Sequence, residues 1–118
     1  MRSSALACLV LVACAAPQPP AAAYAHDPAA LARGERLFGS VCAAYCHALP
    51  ADAAGVRDAP NLFDCTWLHG GSDAEIFHTL STGVPNTRMI AFAGKLPDGD
   101  ADLWKLVAYL RSQSHCTP

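Results

Sequence analysis

The sequence predicts an all-α fold of short helices joined by long loops. Three segments carry apolar residues at helical spacing, and each opens on helix-starting residues. No stretch alternates apolar and polar residues as a half-buried strand would. The connecting loops are long for a chain of 118 residues. Loops of that length in a small domain imply that something besides side chains fills its middle.

The N-terminal segment is set apart first. Arg2 precedes an apolar run from Ala5 to Ala16, too short for the ~20 residues a spanning helix needs. Pro17, Pro19 and Pro20 follow at once. The segment reads as a secretory leader. Two processing sites compete. Ala23-Tyr24-Ala25 offers a small-residue cut that would make residues 1–25 the leader. Leu11-Val12-Ala13-Cys14 resembles a lipobox, with a leader of 1–13, a lipid on Cys14 and a tether over 15–25. Cys8, in the same run, shows that a cysteine there can be incidental. Residues 26–118 are then the exported domain.

The first helix is expected over His26–Val41. Pro28 suits its first turn, and Leu31, Leu37, Phe38 and Val41 form its stripe. Gly34 inside it costs roughly 1 kcal/mol against Ala and marks a place where another helix can cross closely. Residues 48–71 are loop, punctuated by Pro50, Gly55, Pro60, Asn61, Gly70 and Gly71. Ser72 and Glu75 stand at capping-box spacing before a second helix with Ile76, Phe77 and Leu80, which Gly83 stops. Residues 84–96 are loop again. Asp98-Gly99-Asp100 begins a third helix to Gln113, burying Leu103, Trp104, Leu106, Val107 and Leu110 with Tyr109 beside them. Asp98, Asp100 and Asp102 are expected to cap and charge its N-terminus.

Chemistry concentrates in Cys42-Ala43-Ala44-Tyr45-Cys46-His47. The haem-attachment motif is C-x-x-C-H: two thiols form thioethers with the haem vinyls, and the next histidine lies under the iron. Here one residue is added between the thiols. On a helix that rotates them apart by about 100°, so the loop must bulge. The adjacency of Cys46 and His47 is kept. Other readings stay open at this point: a Cys42–Cys46 disulfide, attachment through Cys46 alone, or a soft-metal site for Cu(I) on Cys42 and Cys46, completed by His47 or Met89.

Taken with its surroundings, the chain resembles the class I, mono-haem cytochromes c over nearly all of the exported domain. Gly34-Glu35-Arg36-Leu37-Phe38 is similar to the family's stretch before the cysteines, and Leu103 to Leu110 to its terminal helix. The resemblance implies a cytochrome c-like fold of three to five short helices around one covalent haem c. It also implies that Gly34 and Phe38 meet Leu106 and Tyr109. Met89, in Gly83–Phe92, matches the family's methionine loop, although Ile90 stands where a proline often follows; it becomes the second axial ligand beside His47. His78 is the substitute if Met89 fails. Trp67 sits where the family holds an aromatic near the propionates, with a core tryptophan as the alternative, and Asn61 could donate to the haem edge. His69 is read as a surface or rim residue, and His26 and His115 as exposed. Cys65 and Cys116 fall outside the family pattern. An oxidising compartment makes a disulfide between them the natural expectation.

The implied activity is one-electron transfer, with no enzyme chemistry of its own, at an apolar rim of Ala43, Ala44, Val84, Pro85 and Ile90. The implied partners are redox proteins: a periplasmic dehydrogenase, possible donors including quinoprotein alcohol dehydrogenases, or a terminal oxidase. The protein is expected to be periplasmic and monomeric, membrane-bound only if lipidated at Cys14. A formal charge of −2 gives no sign of nucleic-acid binding, which wants a basic face. The rival function is a periplasmic copper-binding or chaperone module using Cys42 and Cys46. A haem enzyme such as a peroxidase would need an open sixth site, which Met89 argues against.

Overall fold

Local sequence signals place the helix ends, and buried stripes decide how the helices meet. The computed structural model describes residues 20–51, 58–114 and 116. The apolar leader run, Cys8, Cys14, Gly55 and His115 lie outside the described residues. The elements are α1 (Pro20–Tyr24), α2 (Pro28–Leu37), a π-helical segment (Phe38–Ala43), α3 (Asp73–Thr82) and α4 (Asp100–Gln113). Among the described residues there is no β-strand element, so the all-α class holds.

α2 starts where Asp27 accepts from the Ala29 and Ala30 N–H groups at 2.9 and 3.2 Å, with Pro28 in the first turn. Ala30, Gly34 and Leu37 are its buried residues, one face at helical spacing. The expected single helix to Val41 is shorter than predicted: after Leu37 the backbone widens into the π-helical segment. α3 opens on the capping box, with Ser72 and Glu75 each accepting from the other's backbone. It ends at Gly83, whose φ of +70° an L side chain rarely adopts.

α4 is the centre of the molecule. Leu103, Leu106, Val107, Ala108, Tyr109 and Leu110 are all buried along it. α2 crosses it at Gly34, where a Cβ would run into the Lys105 carbonyl and lie 2.8 Å from Tyr109 Cβ. Phe38 follows, its ring 5.6 Å from Tyr109 and 5.4 Å from Phe63. The expected crossing is therefore present, with Lys105 and Tyr109 at the contact and Leu106 in the same core. α3 leans on α4 through a stack of Phe77 on Trp104 at 4.1 Å. Arg111 of α4 reaches Asp73 at the start of α3, 2.7 Å away.

Two features differ from expectation. Asp100 and Asp102 stand in the first turn of α4 and charge its N-terminus as expected, but Asp102 is not its cap. It is wholly buried and takes two bonds from Arg33 of α2, at 3.1 and 2.8 Å, while also accepting the Asp98 N–H. The residue at the cap position is Gly99, which has no side chain to cap with. The second difference is α1, a helix inside the stretch read as leader tail or tether. Its Ala21 is 2% exposed and belongs to the core.

Cys65 and Cys116 are joined by a disulfide with a Cα–Cα separation of 5.5 Å. It ties the end of the chain after α4 to the loop that carries Trp67.

Candidate functional site

The site is built where the π-helical segment turns back on itself. The N–H groups of Cys46 and His47 both donate to the Cys42 carbonyl, at 3.1 and 2.9 Å. The His47 bond spans five residues, the reach of a π turn rather than an α turn. The residue added between the two thiols is taken up in this wide turn. Cys42 and Cys46 are both free thiols, one buried and one half-buried, so the disulfide alternative for this pair is not formed. Burial, with a smaller contribution from nearby Cys46, pushes the Cys42 thiol up to about 12.

His47 is buried. Its Nδ1 lies 3.0 Å from the Pro60 carbonyl oxygen. A carbonyl can only accept, so Nδ1 carries the proton and the lone pair is left on Nε2. This is the arrangement that orients a histidine as a metal ligand. Pro60 acts here as an acceptor through its backbone, which side-chain motifs do not reveal.

Cys46, His47 and Met89 line one cleft, whose remaining wall is largely apolar, with Leu62, Ile76, Leu80 and Leu110 in it. Met89 is half-buried and held by a closed loop. The Val84 N–H donates to the Met89 carbonyl at 3.0 Å, and the Met89 N–H donates to Thr87 Oγ1 at 3.1 Å. Phe92 N–H anchors the loop's far end on the Leu80 carbonyl of α3 at 2.9 Å. Gly83 lets this loop pass: a Cβ there would lie 2.6 Å from the Met89 carbonyl oxygen. The donor set thus fits a covalently attached haem: paired unbridged thiols, an oriented histidine, a thioether and a largely apolar wall.

Trp67 lines the same cleft, with the Arg111 guanidinium 5.7 Å from its ring centre. Asn61 does not line it; its Oδ1 instead accepts the Phe63 N–H at 2.8 Å. His69 borders the cleft and is exposed, whereas His78 and His26 are exposed away from it. One contact has no counterpart in the sequence reading. Arg88, next to Met89, pairs with Asp58, two residues before Pro60, and so links the methionine loop to the loop that orients His47.

Comparison with known proteins decides the family. The profile described as cytochrome c oxidase, cbb3-type, subunit III matches residues 29–110. The chain belongs to this family. It is a mono-haem cytochrome c domain whose cofactor is covalently attached haem c. The CcoP subunit of a cbb3-type cytochrome c oxidase from Rubrivivax gelatinosus is 42% identical over 97 residues, 81% of this chain and 31% of that protein. The FixP subunit of such an oxidase from Bradyrhizobium sp. (strain ORS 278) is 41% identical over 92 residues, 72% of this chain and 31% of that protein. The chain therefore spans about a third of these relatives' length. Among solved structures, cytochrome cL from the marine methylotroph Methylophaga aminisulfidivorans is similar with a TM-score of 0.63 and 26% identity. That match covers 75% of this chain and 56% of the other. Family membership displaces the copper-module reading. No helix among the described residues is long and apolar enough to cross a membrane.

Proposed function

We propose that this cytochrome c domain is a periplasmic one-electron carrier whose haem is held by Cys42, Cys46, His47 and Met89. The observation that carries the assignment is His47, which directly follows a free thiol and has Nδ1 committed to the Pro60 carbonyl. In this reading Cys42 and Cys46 would supply the thioethers, and Nε2 of His47 and the Met89 sulfur would hold the iron. When bound, the haem supplies a single metal-centred redox couple. The chain's part is to hold both ligands still and keep water away, through the Pro60 contact, the Thr87 and Val84 bonds and the apolar wall. His/Met ligation raises the reduction potential, and filling both axial positions disfavours enzyme chemistry at the iron.

The names of the relatives favour a terminal oxidase on the acceptor side, and a periplasmic dehydrogenase is the donor we propose. A quinoprotein alcohol dehydrogenase remains the donor class of first choice. The exposed Ile90 and Pro85, beside Met89, suit the small, brief interfaces of redox encounters.

The test is an optical spectrum and alkaline pyridine haemochrome of the holoprotein and two variants. Met89→Ala should keep covalent haem, lose the high potential and bind exogenous ligands at the iron. Cys42→Ser should shift the haemochrome band to that of a single thioether. A Met89→Ala protein with unchanged potential, or a Cys42→Ser band equal to the parent's, overturns the respective assignment.

A further inference from the structure

We infer that the exported protein retains α1, so that Ala23-Tyr24-Ala25 is not where its leader is cut. The inference rests on the export reading proposed above. α1 is short, but it has an inside and an outside. Ala21 is 2% exposed, whereas Ala22 and Ala23 are exposed to solvent. Ala21 belongs to the same core as Leu103, Leu106 and Val107 of α4. Pro20 occupies the first helical position, where its missing N–H is not needed. Tyr24 continues the contact on the outside of α4, its ring centre 6.0 Å from Lys105 Nζ.

The join to the rest of the domain is also made. The Tyr24 carbonyl accepts the Asp27 N–H at 3.1 Å, and the Ala22 carbonyl accepts the Ala25 N–H at 3.4 Å. Asp27 is the residue that caps α2, so α1 is connected by a hydrogen-bonded turn to the helix leading into the haem cysteines. A cut after Ala25 would remove Ala21 from the α4 surface and the turn that positions Asp27. A leader tail that is discarded needs neither a buried face nor such a turn. The cut then falls on the N-terminal side of Pro20, and the lipobox cysteine Cys14 is the position the sequence offers there.

The experiment uses the full chain, expressed with its own leader in a Gram-negative host that matures cytochromes c. The intact mass of the haem-bearing product is read from periplasmic and membrane fractions. An N-terminus at or before Pro20 is expected, whether free or lipidated at Cys14. An N-terminus after Pro20, His26 above all, overturns the inference. A haem-free chain with Met1 intact in the cytoplasm overturns the export reading instead, and the inference with it; absence of haem and the fraction tell the two failures apart. As a second readout, Ala21→Glu should lower the Tm of the exported holoprotein by several degrees, on the scale of ~4–8 °C per kcal/mol for a domain of this size. Ala22→Glu, on the exposed face, should leave it unchanged. Equal Tm values for the parent and both variants would show that α1 is not part of the folded product.

Discussion

Asp102 and His47 are both buried polar residues held by well-placed partners, His47 by the Pro60 carbonyl and Asp102 chiefly by Arg33, with the Asp98 N–H and Lys105 beside it. For Asp102 the main partner is Arg33, whose side-chain hydrogen bonds, aided by the Asp98 N–H and Lys105, hold the carboxyl down at about 2 against an ordinary value of 3.8. A depressed carboxylate contributes stability that is present above the unfolded pKa and disappears as pH falls through the folded one. The contribution should therefore be lost between pH 3.8 and about 2. Breaking a fully buried pair costs ~3–5 kcal/mol and an exposed one ~0–1 kcal/mol. Asp102 is buried while Arg33 is 30% exposed, which places Asp102→Asn at roughly 2 kcal/mol, between those limits. Denaturant unfolding of the holoprotein at pH 7 should show that loss. The variant should also lack the parent's extra fall in stability over the acid window. Equal acid limbs for the two proteins would place the pair outside the folding balance.

Between elements, the decisive contact is α2 on α4. Gly34 is unfavourable in a helix by about 1 kcal/mol relative to Ala, so Gly34→Ala would stabilise α2 taken alone. In the folded protein the new Cβ meets the Lys105 carbonyl, which is backbone and cannot swing aside. Overpacking of this kind costs ~1–3 kcal/mol, and here it outweighs propensity. The expected result is a lower Tm for Gly34→Ala, with the haem spectrum retained. A raised Tm would mean that the helices can part at little cost. The π-helical segment belongs to the same scale. A helix predicted through Val41 is instead widened over Phe38–Ala43, and the turn from Cys42 to His47 that follows takes up the added residue of the attachment motif. The pattern of apolar residues could not reveal it, because α and π turns differ by one residue in hydrogen-bond reach and share much the same stripe.

For the molecule as a whole, the helices pack an apolar core around α4, while residues from the segments 58–70 and 84–89 line the cleft. Such a domain leans on crosslinks. The Cys65–Cys116 disulfide spans a separation of 51 residues, and closing a loop of that length is worth about 4 kcal/mol on the chain-entropy model. The double variant Cys65→Ser/Cys116→Ser should lose stability on that scale in denaturant titrations, with its haemochrome band unchanged, because both cysteines stand outside the attachment turn. Loss of stability well below 1 kcal/mol would indicate that the unfolded chain is already restrained there. The Arg88–Asp58 pair is exposed at both ends. It is expected to matter for how the two loops meet more than for global stability.

The amino-acid sequence alone determined the helices α3 and α4 and the body of α2, the capping box at Ser72, and the stop at Gly83. These depend on neighbours a few residues apart. It also showed the adjacency of Cys46 and His47 and Met89 as the lone methionine after Met1, because attachment chemistry is written in contiguous residues. The tertiary structure decided the rest. Asp102 is a cross-helix anchor instead of a cap because Arg33, 69 residues away, reaches it only after α2 crosses α4. Asn61 closes its own turn instead of facing the cleft. His47 is oriented by the Pro60 carbonyl, a backbone atom that every residue possesses and no motif marks. Ala21 belongs to the core only because α4 lies against it. For Asp102, His47 and Ala21 the deciding partner is distant in the chain and only folding brings it near, whereas Asn61 is settled by the Phe63 N–H two residues on.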